Sequence, residues 1–226
     1  YPKAITILRE FGYSDVFKTD NNYPQFKHYQ RLKNANNIAA IEIHKELLIE
    51  KYANEFNYSF VEKDSQIING AAVLSYANKL NLSVISNQIN DSGFYYKTMA
   101  LRNAYDVFLL SKKINAKDAM ITLDKLKHPL NCFLAACYEV FDRVDSLEYN
   151  SNTKVDSYLS VINSQYTNPI LIKKQSKSNK VYIFIKRKFY LLYMSIGHLE
   201  YRVFIFKSLT DKNWYKEKLI QLGIKK

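Results

Sequence analysis

Residues 170–207, ILIKKQSKSNKVYIFIKRKFYLLYMSIGHLEYRVFIFK, combine the greasiest run of the chain with nine basic residues, seven of them before Ser195, and, as far as Ser195, not one acid. How this stretch folds decides the fold class, because it reads as strand where most of the chain reads as helix. VYIFI (181–185), FYLLYMS (189–195) and EYRVFIF (200–206) are aromatic and β-branched, a composition suited to a pleated, half-buried surface. With Lys186-Arg187-Lys188 and Gly197-His198 as bends, they predict a three-stranded antiparallel β-meander over 181–207. Alternation then sets Val181, Ile183 and Ile185 against Tyr182, Phe184 and Lys186 in the first strand. In the third strand it sets Tyr201, Val203 and Ile205 against Arg202, Phe204 and Phe206. A last helix, DKNWYKEKLIQLG (211–223), covers one face through Trp214, Leu219, Ile220 and Leu222.

Upstream the periodicity is helical. KAITILREFG (3–12) reads as a short helix ended by Gly12, followed by a polar loop through Asp20, Asn21, Asn22, Tyr23 and Pro24. Residues 25–57 read as one or two helices, with Ile41, Leu48, Tyr52 and Phe56 at helical spacing and Glu42, Glu46 and Glu50 as an i, i+4 ladder. Further helices are expected over 65–81, 95–113, 115–127 and 130–144, the third opened by an Asn115 cap and the last by Pro129. Residues 148–169 mix polar loop with a short amphipathic piece. SYANKLNLSVISNQINDSG (75–93) supports two readings: a helix-turn-helix turning near Asn81, or a helix followed by a buried strand, LSVIS. The expectation is therefore an α+β protein with a boundary near residue 150. A helix-rich domain spans 1–150, and a β-meander with its closing helix spans 151–226.

Charge draws the same line. The chain carries a net +12, with 27 Lys among 33 basic residues. Residues 1–150 hold 18 basic and 17 acidic side chains, whereas residues 151–226 hold 15 and 4. A general preference for lysine acts along the whole chain and does not produce such a step.

Diagnostic catalytic patterns are missing: no HExxH, CxxC, P-loop, GxSxG or GxGxxG occurs, and no cofactor or metal is implied. His28, His44, His128 and His198 are scattered. Cys132 and Cys137 lie about 140° apart on a helix, which suits buried, reduced thiols in a cytoplasmic, reducing compartment. Glu139, Asp142, Asp145 and Glu148 recur every third residue, but such a row spirals round a helix instead of gathering. Asp64, Asp91 and Asp106 are acids that only tertiary folding could assemble.

Three functions fit. The leading one is nucleic-acid binding, DNA or RNA, by the basic third. Lys173, Lys174, Lys177, Lys180, Lys186, Arg187, Lys188 and Arg202 would neutralise phosphates, and Tyr182, Phe184 and Tyr190 would offer stacking rings. The second is a metal-dependent nuclease with acids from the N-terminal region. The third is a protein-interaction or scaffold module without nucleic acid. An anionic membrane surface is a further possible partner. A spanning helix is disfavoured, because His198, Glu200 and Arg202 interrupt the 18 residues from Phe189 to Phe206.

Overall fold

The structure, a computed structural model, describes residues 2–15, 29, 31–48 and 50–221. The loop expected around Asp20–Pro24, His28, the Leu222–Gly223 end of the last helix and the Trp214 side chain lie outside the described residues. The chain divides into two compact units, one formed by residues 46–173 and the other by 1–45 with 174–226. The expected boundary at residue 150 falls inside the first of these, in the turn just ahead of its last helix.

The fold is α+β and helix-rich, with two small two-stranded antiparallel sheets among the described residues. In the discontinuous unit, α1 (Pro2–Glu10) ends in a turn at Gly12, whose φ of +82° is open to glycine at no steric cost. β1 (Ser14–Asp15) pairs with β2 (Leu32–Lys33). Residues 31–48 are not the helix that their spacing suggested. Leu32 and Ile41 exchange both backbone hydrogen bonds at 2.8 Å, so this segment is a hairpin. Its turn follows from asparagine chemistry: Asn34 Oδ1 accepts from the Asn36 amide at 2.8 Å, the local bond with which Asn competes against helix. Glu42 therefore joins no helical ladder. It accepts from Arg31 Nε and Nη2 at 3.0 and 2.8 Å across the hairpin.

The continuous unit opens with a 3-10 turn at Glu50–Tyr52 and α2 (Tyr58–Glu62), capped by Asn57. The helix expected over 65–81 divides. β3 (Gln66–Ile68) and β4 (Ala71–Val73) form a hairpin about Asn69-Gly70, whose φ values of 51° and 77° are those of a two-residue primed turn. α3 (Tyr76–Ile85) then starts from a Ser75 cap and runs straight through Asn81. LSVIS is consequently helix, neither the turn of a DNA-reading motif nor a strand. It passes into a single π-turn, Ser86–Asn90. After α4 (Gly93–Tyr96) come α5 (Leu101–Ser111), α6 (Ala116–Ile121) with its Asn115 cap, α7 (Lys127–Val140) and α8 (Thr153–Thr167), capped by Asn152.

α7 forms the centre of this unit. Leu130 and the run from Cys132 to Cys137 are all buried, an apolar surface all round that only a helix enclosed by others can carry. α3, α6 and α8 pack on it, and Leu80, Val84, Val107, Met120, Val155 and Ile162 complete the core.

The β-meander does not form. Residues 169–197 are one helix, α9 (Pro169–Gly197), followed by α10 (Leu199–Thr210) and α11 (Lys212–Gln221). A meander needs two turns, and only Gly197-His198 offers turn residues. Lys186-Arg187-Lys188 are good helix formers with no local bond to compete for the backbone. Asn168 starts α9 by accepting from the Ile170 amide at 3.1 Å, and Pro169 loses no helical hydrogen bond at the first position. Leu219 and Ile220, expected to pack a sheet, are exposed on α11.

One close approach tests the packing. A Cβ on Gly93 would lie 2.8 Å from the Asn87 carbonyl oxygen and 2.9 Å from its side-chain oxygen. A Cβ on Gly197 would meet nothing within 4 Å. Gly93→Ala should cost about 1–3 kcal/mol in thermal or urea denaturation, while Gly197→Ala should lie within about 0.5 kcal/mol of the parent. Equal effects would contradict the packing at the π-turn.

Candidate functional site

Ten of the eleven residues expected to bind polyanion lie on α9, and Arg202 lies on α10. A helix sorts them differently from a sheet. At about 100° per residue, Lys173, Lys177, Lys180, Arg187 and Lys188 fall within an arc of roughly 100°. With Phe184 bridging Lys180 to Arg187 and Lys188, steps of three and four residues join them into a row about 21 Å long. Phe184 lies in the same row, half-buried, with Lys188 Nζ 5.3 Å from its ring centroid. Lys174 stands at the edge of the arc. Lys186 and Tyr182 face the other way, the ammonium 5.7 Å from the ring centroid. Tyr190 is half-buried on a third side. The helix thus gathers the phosphate-binding cations and separates Tyr182 and Tyr190 from them.

Most of the row is exposed. Lys173, Lys174, Lys177, Lys180 and Arg187 are all exposed, and no carboxylate among the described residues pairs with them. The ion pairs lie elsewhere, as in Lys125–Glu55 at 2.9 Å and Arg143–Glu139 at 3.1 Å. α9 holds no acid of its own to answer them.

The acids of the N-terminal region remain apart. Glu139 ends α7 against Arg143, Glu148 holds Lys117 at 3.5 Å, and Asp142 sits in a left-handed turn with φ of 55°. Among the described residues no three His, Cys, Asp or Glu side chains come close enough to share a metal ion.

Sequence reasoning missed a cluster around Lys97. Phe94 and Tyr158 stack with centroids 5.7 Å apart, and the Lys97 ammonium lies over both rings at 4.2 and 4.7 Å. His128 meets the Phe94 ring edge-on at 5.4 Å, and its ring nitrogens stand 3.8 and 3.9 Å from Cys132 Sγ. Burial lowers the Lys97 pKa, and burial followed by the neighbouring charges of Lys154 and Lys97 lowers that of His128. The cysteine–histidine pair resembles a nucleophile and its base, but burial pushes the Cys132 thiol up to about 12, so it stays protonated. Gln88, fully buried beside the stack, accepts from the Tyr158 hydroxyl at 3.2 Å and donates to the Thr98 carbonyl at 3.1 Å. The cluster closes the core. No local sequence pattern marks it, because its members come from four separate elements.

A cleft of about 220 Å³ among α6, α7 and the start of α8 is lined by Lys117, His128, Asn131 and Asn150. Its amides satisfy each other: Asn131 Nδ2 donates to the Asn150 carbonyl at 2.8 Å, and the Asn150 amide donates back at 2.9 Å. Few polar groups remain there to orient a ligand.

No helix among the described residues is long and apolar enough to cross a membrane. No family model matches this chain, and no curated protein or solved structure is significantly similar to it.

Both cysteines are buried and free, and burial raises both thiols. With a thiol-reactive chromophore such as DTNB, the native chain should release colour at least ~100-fold more slowly than a simple thiol. From pH 7 to 9 the native rate should stay well below that of a simple thiol, since the native thiolate predominates only far above that range, whereas the denatured chain should react fully at both positions. Rapid reaction of one native thiol would place Cys132 in a working site.

Proposed function

We propose that this chain binds nucleic acid through the basic row of α9, in a phosphate-dominated mode without a chemical step. The observation that carries the reading is the row itself: Lys173, Lys177, Lys180, Arg187 and Lys188 aligned over about 21 Å on an acid-free helix. Duplex DNA presents one charge per ~1.7 Å of axis, so a row of this length faces on the order of a dozen phosphates. A compact acidic protein seldom offers so long a line of negative charge.

The chemistry of the row argues for weak sequence discrimination. Lysine ammonium groups are point charges that neutralise phosphate, whereas base reading relies on bidentate groups such as guanidinium. α9 has six lysines and a single arginine. Phe184, half-buried within the row, is the ring beside the phosphate-binding cations, whereas the more exposed Tyr182 faces the other way and Tyr190 is half-buried on a third side. Arg202, on α10, would add a contact separate from the row.

Fluorescence-anisotropy titrations with a labelled single-stranded oligonucleotide and a duplex, at salt from 50 to 300 mM, test the reading. Five contacts predict a log–log slope near −3.5 for the single strand and near −4.5 for the duplex. K173Q/K177Q/K180Q should flatten the single-strand slope by about 2 and leave the circular dichroism unchanged. Absence of binding, or a slope indifferent to the triple substitution, overturns it.

A further inference from the structure

α9 carries a second feature that phosphate binding leaves unexplained. Val181, Ile185, Phe189, Leu192 and Ile196 recur at steps of four, four, three and four residues and are 42–78 % exposed. They occupy about 80° of the helix surface and extend roughly 22 Å. On one border stands Lys188 and on the other Lys186, and Lys174 lies in line with the strip ahead of its N-terminal end. The exposed ring of Tyr193 and that of Tyr182 lie between the apolar strip and Lys186. α10 repeats the design. Leu199, Val203 and Phe206 are exposed at i, i+4 and i+7, with Arg202 and Lys207 beside them.

The flanking charge selects the occupant. From Ser157 to Leu199 the sequence has no acid, so a second copy of α9 laid on the strip would set lysine against lysine. The occupant is therefore anionic where it meets the borders and apolar where it meets the strip. An anionic lipid bilayer has this chemistry: its acyl boundary takes aliphatic and phenyl groups, its headgroup layer takes tyrosine, and its phosphates take lysine. A bilayer is also extended enough to receive both helices, whereas one partner helix covers one strip.

We infer that Val181, Ile185, Phe189, Leu192 and Ile196 form an in-plane docking strip for an anionic membrane surface, with Lys186 and Lys188 at its borders and α10 as a second strip. This goes beyond the nucleic-acid reading, since the apolar strip lies next to the cationic row and shares only the bordering Lys188 with it. The cations reach headgroups while their stems cover the edges of the apolar band. α9 lies along the surface instead of through it.

Flotation of the full chain with vesicles tests the inference, using phosphatidylcholine alone and phosphatidylcholine with 30 % phosphatidylserine. The chain should float with the anionic vesicles and not with the neutral ones. I185S/F189S/I196S, whose side chains are exposed, should reduce the floated fraction at least tenfold while leaving oligonucleotide affinity within twofold and circular dichroism unchanged. K173Q/K177Q/K180Q should show the reverse preference, with oligonucleotide binding lost first. Three results overturn the proposal: no flotation with anionic vesicles, flotation indifferent to the serine substitutions, or a dimer in sedimentation that those substitutions dissociate. The first two would leave the nucleic-acid reading standing, and failure of oligonucleotide binding would leave this one standing.

Discussion

Between Lys180 and Gly197 the chain has no Gly, Pro, Asn or Asp to favour a turn, and from Pro169 on every amide past the first turn finds its partner four residues back. The charge pattern acquires meaning only under that constraint. As strands, the cations would alternate across two faces with the rings. As a helix they line up, and the apolar residues between them line up on the next face. Row and strip are two readings of one helical period, one suited to phosphate and the other to lipid.

The 46–173 unit rests on a different economy. α7 is buried on all sides, so its neighbours must approach closely, and the π-turn is close enough to Gly93 that a Cβ there would meet Asn87. Several polar groups buried there are answered individually, Gln88 by the Tyr158 hydroxyl and the Thr98 carbonyl and Asn81 Nδ2 by the Ala119 carbonyl at 3.0 Å, while Asn78 Nδ2, Asn81 Oδ1 and Asn90 Oδ1 are buried without a partner. Satisfied buried amides of this kind fix register, because any slip would leave a donor or acceptor dry. Lys97, poised over two rings and partly desolvated, is accommodated by the same logic and needs no catalytic explanation.

Where caps and apolar spacing agreed, the fold was legible in the residues. Asn115 caps α6 as its chemistry suggests, Pro129 lies in the first turn of α7, which starts two residues before it, and the run NCFLAACYEVF announced a core helix with its buried thiols. Asn69-Gly70 carried a hairpin signal that flanking helical spacing overrode, and the Asn34–Asn37 turn carried another. The largest misreading lay in 181–207. Aromatic and β-branched composition suggests strand, but propensity is weak beside the absence of a turn, and Lys186-Arg187-Lys188 cannot reverse the chain as a tight loop would. For the surface, the location of the charge was plain from counting residues. Its division into a row and a separate strip was not, because that depends on whether the period is two or 3.6.

Bare, α9 works against its own electrostatics. Its peptide dipoles place partial positive charge at the N-terminal end, where Lys173, Lys174 and Lys177 stand with no acid in the first turn, and the row adds repulsion between ammonium groups one turn apart. An anion laid along the row removes both penalties at once. Occupancy would therefore stiffen the helix that creates the row, so that this segment is at its most ordered when it is neutralised.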